Sequence, residues 1–319
     1  MKKLRAMVIG VGYLGKFHAQ KYAMLDNVEL VGVVDINQKS AEKIAKDLKT
    51  KAYTDYTDLF GKVDIASVVV PTIDHFEVGK ACLLNHIDIL LEKPMTTTLE
   101  QADKLIKIAD EKGRYIQVGQ LERFNPAVVA LKDILKTPMF VESHRLGFYN
   151  ERGTDVSVVL DLMIHDIDII LNFVKSDIKN IHASGIPIVS DHVDIANVRL
   201  EFENGCIANI TASRVSGKVQ RKIRLFQKDA YISVDFANKS IEVIKKDPHK
   251  ADSPIPGFIS RQIPIEESDA LEDEIRAFVH SVSTRTCPEV SGQVGRKALK
   301  VAFSVMDQIN TAIDRWKKM

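Results

Sequence analysis

The sequence predicts two folded units in tandem: an α/β unit on a parallel sheet, then an α+β unit on a large, mainly antiparallel open sheet. Three observations carry that reading. The first 120 residues alternate short Val/Ile-rich runs with longer amphipathic stretches, the apolar period shortens to two after Pro126, and the chain closes on two helical stretches. Continuous apolar runs joined by helices suit a parallel sheet covered on both faces, whereas alternation suits an antiparallel sheet with one covered face. The expected division is residues 1–121 and 122–319, with the terminal helices able to pack back on the first unit.

In chain order, RAMVIG, ELVGVVD, VDIASVVVP, IDILLEKP and RYIQVG read as the parallel strands. Helices are expected between them near 14–26, 38–48, 75–86 and 98–112. A helix near 126–136 leads into the strand FVESHRLGF and then the apolar helix VVLDLMIHDIDIILNF, residues 158–173. In ANVRLEF the apolar positions Ala196, Val198, Leu200 and Phe202 alternate with polar ones, and CIANITAS and RKIRLFQ repeat the pattern. Helices near 268–283 and 292–317 end the chain, and 247–258 is the most loop-like stretch.

Composition excludes several function classes. With 44 basic and 43 acidic residues the net charge is +1, which argues against a bulk nucleic-acid or membrane-surface binder. Cys82, Cys206 and Cys287 stand far apart, so neither a disulfide framework nor a zinc site is expected, and a reducing cytoplasm fits. The N-terminal run is broken by glycines and reads as a strand, not a signal peptide, and no apolar stretch is long enough to span a bilayer. A cytoplasmic protein is expected.

The first chemical signal is VIGVGYLGKFH, which sets Gly10, Gly12 and Gly15 in GxGxxG spacing after a strand and at the start of a helix. The next strand ends at Asp35, twenty residues after Gly15, completing the fingerprint of a Rossmann dinucleotide-binding domain. Gly10 permits the tight turn, Gly12 lets a pyrophosphate approach the backbone, and Gly15 lets helix and strand pack closely. The helix N-terminus favours the anion. Asp35 would accept hydrogen bonds from ribose hydroxyls and repel a 2′-phosphate, which favours NAD over NADP, although Lys39 nearby weakens that preference.

The second signal lies in the apolar helix. Asp161, His165, Asp168 and Asn172 fall on one line of its surface, and an unpaired buried carboxylate would be costly there. The line either meets a structural network or faces a polar ligand. IDILLEKP adds Glu92, Lys93 and Pro94 at the carboxyl end of a strand, the edge at which open α/β sheets bind ligands.

Taken together, the glycine turn, the EKP motif at Glu92, Lys93 and Pro94, and the DxxxH helix at Asp161 and His165 resemble the Gfo/Idh/MocA oxidoreductase family over essentially the whole chain. The resemblance implies a catalytic set of Lys93, His165 and Asp161. It implies a cofactor set of Gly10, Gly12, Tyr13, Leu14, Gly15, Asp35, Pro71, Thr72, His75, Glu92, Lys93 and Arg123. It implies substrate contacts from Lys93, Tyr149, Arg152, Asp161 and His165, no metal, and a homodimer or homotetramer. His165 suits a proton acceptor because imidazole titrates near working pH, and a protonated Lys93 would stabilise a developing alkoxide. The roles can also be exchanged, with the lysine as relay. Asp168 and Asn172 are expected to be structural, and Asp166, off the line, an ordinary salt-bridge partner.

Within that family GQLERFNP, HRL, RGTDVSVVLDLMIHDIDI, DIANVRLEF and TASRVS are similar to the UDP-N-acetylglucosamine 3-dehydrogenase group, which implies a nucleotide-sugar substrate and a pathway aminotransferase as possible partner. Arg145, Arg152, Arg214, Lys218, Arg221, Lys222 and Arg224 lie in or beside the second sheet and could include diphosphate donors. For most of them a solvated strand face or a subunit interface is the simpler expectation. Asn125, beside Arg123, is a further candidate contact. Two alternatives stay open: a dehydrogenase of a free polyol such as an inositol, and a non-catalytic nucleotide sensor.

Overall fold

A computed structural model describes residues 3–150, 156–247 and 257–317. The chain divides into two compact units, Met1–Phe124 with Asp269–Lys297, and Asn125–Ser268 with Ala298–Met319.

The first unit opens with β1 (Leu4–Ile9), α1 (Gly15–Met24), β2 (Val28–Val34) and α2 (Gln38–Leu48). It continues through β3 (Lys51–Tyr53), β4 (Ile65–Val68), α3 (His75–Leu84), β5 (Asp88–Glu92), α4 (Leu99–Lys112) and β6 (Ile116–Gly119). The strands form one six-stranded sheet in the order β3-β2-β1-β4-β5-β6, every neighbouring pair parallel. The order reverses direction beside β1, which puts the glycine turn after β1 at the topological switch point. β4, β5 and β6 are buried at every position, as their unbroken apolar runs require. β3, whose three residues KAY are too short and mixed to show a period, was not among the expected strands. The turn Leu121–Phe124 follows β6.

The second unit begins with α5 (Pro126–Leu131), shorter than the stretch 126–136 expected from sequence; past Leu131 the backbone continues only as turns. β7 (Phe140–Leu146) follows, then α6 (Ile164–Val174), preceded by a wider π-helical turn over Val159–Met163. The remaining strands are β8 (Ile178–Ile186), β9 (Ile195–Phe202), β10 (Ile207–Ser213), β11 (Gln220–Gln227), β12 (Ala230–Asp235), β13 (Ser240–Lys246) and β14 (Phe258–Ile263). They make an eight-stranded sheet ordered β14-β13-β12-β11-β7-β10-β9-β8, antiparallel except where β7 meets β10. Ala196, Val198, Leu200 and Phe202 all face the core, as their alternation requires.

Two helices close the chain. α7 (Ala270–Thr284) is capped by Asp269, whose carboxylate accepts the N–H groups of Leu271 and Glu272, and it packs in the first unit beside α1 and β5. Its core face carries Ile275, Phe278, Val279 and Val282 into the cluster that holds Val8, Ala19 and Tyr22. α8 (Gly292–Trp316) contributes its first six residues to the first unit and the rest to the second. No helix among the described residues is long and apolar enough to cross a membrane.

Candidate active site

In the first unit the three glycines of the turn after β1 have separate steric reasons. Gly10 has φ +85°, and a Cβ there would lie 2.5 Å from the Val69 carbonyl oxygen. At Gly15 a Cβ would lie 1.8 Å from the Gly10 carbonyl oxygen, so helix and turn can pack only without it. At Gly12 a Cβ would meet nothing within 4 Å. Gly12 is therefore not needed for packing, and the space in front of it is open to a ligand. α1 starts at this turn with no acidic residue in its first turn, so its positive dipole end favours an anion.

A crevice of about 830 Å³ runs in front of the turn, lined by Gly10, Gly12, Asp35, Ile36, Val70 and Pro71 among others. That volume suits a small-molecule or cofactor site. Asp35 accepts the Val11 N–H at 2.9 Å on one oxygen and the Asn37 N–H at 2.9 Å on the other. It thereby braces the glycine turn, and a carboxylate with about four acceptor positions retains capacity for ribose hydroxyls. The open glycine, the helix dipole and the carboxylate fit a dinucleotide. Tyr13 projects at the rim, 63% exposed, and Leu14 and Thr72 belong to the same two turns.

Other expected cofactor residues point inward. His75 is fully buried, with Nδ1 2.9 Å from the Pro94 carbonyl oxygen and Nε2 2.9 Å from that of Val70. Burial lowers its pKa, partly offset by those two carbonyls. It ties the loop after β4 to the loop after β5 and does not line the crevice. Arg123 is buried in the turn Leu121–Phe124, 4.0 Å from Glu289. Glu92 turns into the interior, where Oε1 lies 3.2 Å from His18 Nε2 and Oε2 accepts the backbone N–H of Lys93 at 3.2 Å. Lys93 is half-buried at the end of β5, and the Lys93–Pro94 peptide is cis.

In the second unit the polar residues of the apolar helix separate into two groups. Asp161 lies in the π-helical turn and His165 at the start of α6, both half-buried. The wider turn replaces the regular α-helical line expected from spacing. Asp166 is the residue that meets a network. Arg145 on β7 donates to it from Nε at 2.8 Å and from Nη2 at 3.1 Å, and the Ser143 hydroxyl donates at 3.0 Å, all three residues being buried. Asp168 is buried and Asn172 half-buried lower on the helix.

A cavity of about 560 Å³ opens at the carboxyl end of β7 and brings Tyr149 and Asp161 together with Arg145, Arg214 and Arg221. Arg145 is committed to Asp166. Arg214 is buried, donating from Nη2 to the Val156 carbonyl at 2.6 Å, with Nε 3.8 Å from Asp194. Asp194 is itself fixed: burial pushes its pKa up, but the Ser190 hydroxyl and the N–H groups of Ser190, Ile188 and Val189 outweigh that and hold it at about 2. Arg224 pairs with Glu142 across the sheet, and Lys218 is exposed on a turn. Of the basic residues considered from sequence, Arg221 is thus the exposed one in the cavity wall. Arg152 lies outside the described residues. Lys93 belongs to the first unit and Asp161, His165 and Tyr149 to the second.

Residues missed by sequence reasoning include His18, which approaches Glu92, and Ser67, Gln117 and Glu274, all buried in the first unit. A signal existed for Glu274: within ALEDEIRAFVHSV it falls on the same helix face as Phe278, so an acid sits on the core side.

The glycine roles give a contrast that binding and melting can check. Gly12→Val is expected to weaken dinucleotide binding at least tenfold with little change in melting temperature. Gly15→Val is expected to destabilise the first unit by about 3 kcal/mol or more, because the turn cannot absorb the overlap. Equal loss of stability in both variants would contradict the assignment.

Comparison with known proteins agrees with this geometry. Residues 4–120 match the model described as "Oxidoreductase family, NAD-binding Rossmann fold", and residues 138–233 match the GFO/IDH/MocA C-terminal domain. A UDP-N-acetylglucosamine 3-dehydrogenase of Acidithiobacillus ferrooxidans is 34% identical over 316 residues, covering 99% of this chain and all of that protein. A solved structure of that enzyme superposes with a TM-score of 0.91, covering 98% of this chain and 99% of the other at 33% identity. A myo-inositol 2-dehydrogenase of Thermotoga maritima is 25% identical over 321 residues, covering 94% of this chain and 95% of that protein.

Proposed function

The chain belongs to the Gfo/Idh/MocA family of NAD(P)-binding oxidoreductases acting on sugar hydroxyls, and from that premise we propose that it oxidises C3 of UDP-N-acetylglucosamine to a ketone with NAD. The observation that carries the substrate class is the cavity of the second unit, where Tyr149 and Asp161 offer hydrogen bonds to a sugar and Arg221 adds an exposed cation for a phosphate. Full-length similarity to a UDP-N-acetylglucosamine 3-dehydrogenase supports the same choice over a free polyol. Asp35 on the ribose side supports NAD over NADP, because a 2′-phosphate would face its carboxylate.

The nicotinamide, when bound, accepts the hydride. The remaining chemistry falls to this chain. The substrate hydroxyl must lose its proton as the carbon loses hydride, and His165 is the assigned acceptor. Lys93, protonated, donates a hydrogen bond to the reacting oxygen and stabilises the charge that develops there. Asp161, one turn before His165, orients a substrate hydroxyl. A neighbouring aminotransferase would consume the 3-keto sugar.

The test is NADH formation with UDP-N-acetylglucosamine beside free N-acetylglucosamine and myo-inositol, with a ketone trap and a parallel series with NADP. Turnover with the nucleotide sugar and NAD is the expected result. Turnover of myo-inositol alone would transfer the same chemistry to a polyol and sink the substrate. Tight dinucleotide binding with no oxidation of any sugar would favour a non-catalytic sensor.

A further inference from the structure

The cavity of the second unit carries apolar surface that the proposed chemistry does not use. β7 and β11 run antiparallel with Arg145 opposite Arg221 and Leu146 opposite Gln220, where the pairing ends. Side chains directly opposed across such a pair point to one face, so Arg221 shares the face on which Arg145 meets Asp166. Past the last pair the chain leaves the sheet through Gly147 and Phe148 on one side and reaches it through Val219 on the other, and all three residues line the cavity. Phe148 is 62% exposed and Val219 53%. One exposed apolar side chain is ordinary, but two in the wall of a single cavity mark a place where a ligand would remove apolar surface from water.

Gly147 adds room beside them. Its backbone is held on both sides: the N–H donates to the Ser213 carbonyl at 2.9 Å, and the carbonyl accepts the Ser216 N–H at 3.0 Å. It is not among the glycines with positive φ, and a Cβ there would meet nothing within 4 Å. Neither backbone conformation nor packing therefore requires glycine. What the missing side chain leaves is open space over a hydrogen-bonded backbone, as at Gly12 in the first unit. The charges favour an anion in the same cavity. Arg145 and Arg214 are committed to buried partners, and Asp161 is the one acid among the described residues of the wall. Arg221 is exposed and forms no ion pair among the described residues.

A flat apolar ring joined to a multiply charged anion suits such a wall. We propose that Phe148 and Val219, beside the space at Gly147, hold the nucleobase of a nucleoside diphosphate whose phosphates meet Arg221. The inference rests on the proposed nucleotide-sugar substrate and locates its base, but its test needs no turnover. Arginine binds a diphosphate with its fork of donors, and a phenyl ring stacks on the face of a base. Phe148 is thereby a specificity-determining residue: a sugar phosphate that lacks a base forgoes this contact.

The probe is UDP, titrated by calorimetry into protein saturated with NAD so that the crevice of the first unit is filled. Phe148→Ala is expected to weaken UDP about tenfold, the size of one base–aromatic stack. Gly147→Val should weaken it at least as much, and both variants should keep the melting temperature and NAD affinity of the wild type. Saturation-transfer NMR should show the uracil H5 and H6 protons as the most strongly saturated of wild-type-bound UDP, a preference lost in Phe148→Ala. Arg221→Gln should also weaken UDP but leave the uracil protons preferred. Unchanged UDP affinity in Phe148→Ala, or uracil protons saturated no more than the ribose, would overturn the base site. A changed solution mass of Phe148→Ala with UDP affinity unmoved would assign the ring to a subunit contact and overturn it too. No UDP binding to wild type would overturn the base site and the proposed substrate together. Weakened UDP in the variants, with no sugar oxidised by wild type, would sink the proposed function and leave the base site standing. Oxidation of the nucleotide sugar with an unchanged KM in Phe148→Ala would do the reverse. Should Gly147→Val not fold, Phe148→Ala decides, because removing an exposed ring opens no cavity in the core.

Discussion

Lys93→Met is expected to lower kcat by 10²–10⁴-fold or more while dinucleotide binding stays measurable. Methionine keeps an unbranched stem of similar reach, and the half-buried position tolerates it. The backbone N–H that Glu92 accepts is retained, so the carboxyl end of β5 keeps its anchor. What disappears is the ammonium. If the lysine donates to the reacting oxygen only as charge develops, the loss falls on kcat and kcat/KM together. A thousandfold loss corresponds to about 4 kcal/mol of barrier. Stopped-flow hydride transfer separates that effect from product release, and cofactor titration by fluorescence checks that the crevice is intact. Activity within tenfold of wild type would remove Lys93 from the chemistry.

Arg145→Met is the largest expected loss of stability. Arg145 and Asp166 form a bidentate pair in which both side chains are nearly inaccessible, and Ser143 supplies a further donor. Removing the arginine strands a buried carboxylate with one hydroxyl for company, a change that costs about 3–5 kcal/mol. At roughly 2–4 °C per kcal/mol for a unit of this size, the melting temperature of the second unit should fall by roughly 6–20 °C. The double change Arg145→Met with Asp166→Leu should recover much of the loss, because an apolar pair of similar volume carries no desolvation penalty. Denaturation of wild type, both single variants and the double variant closes the cycle. Additive losses would show that the two residues do not act as a pair.

The two residues also show how far pattern reaches. Asp166 was expected as a salt-bridge partner because it falls off the polar line of its helix, and that needs only a helical period. Its partner was out of reach, since Arg145 is 21 residues away and was placed among candidate phosphate ligands. Arg214 is a similar case, spent on Val156 and Asp194. An arginine looks the same in a sequence whether it greets a ligand or neutralises a buried acid. His75 was placed beside the cofactor by its loop, yet both ring nitrogens are taken by backbone carbonyls. Backbone partners leave no mark in residue identity.

By itself the sequence determined the two classes of sheet, the glycine turn and its Asp35, and the strand-end EKP. Each depends on short-range rules: a period of two or 3.6, glycines at fixed offsets, one acid at the next strand end. Only the tertiary structure decided which glycine faces open space, that a π-helical turn carries Asp161, that α7 packs in the first unit, and that Glu92 meets His18 in the interior. These are consequences of pairing among residues far apart in the chain, as between Lys21 and Glu272, 251 positions apart. The cost of burying a charge depends on what the fold brings next to it, and no local pattern records that.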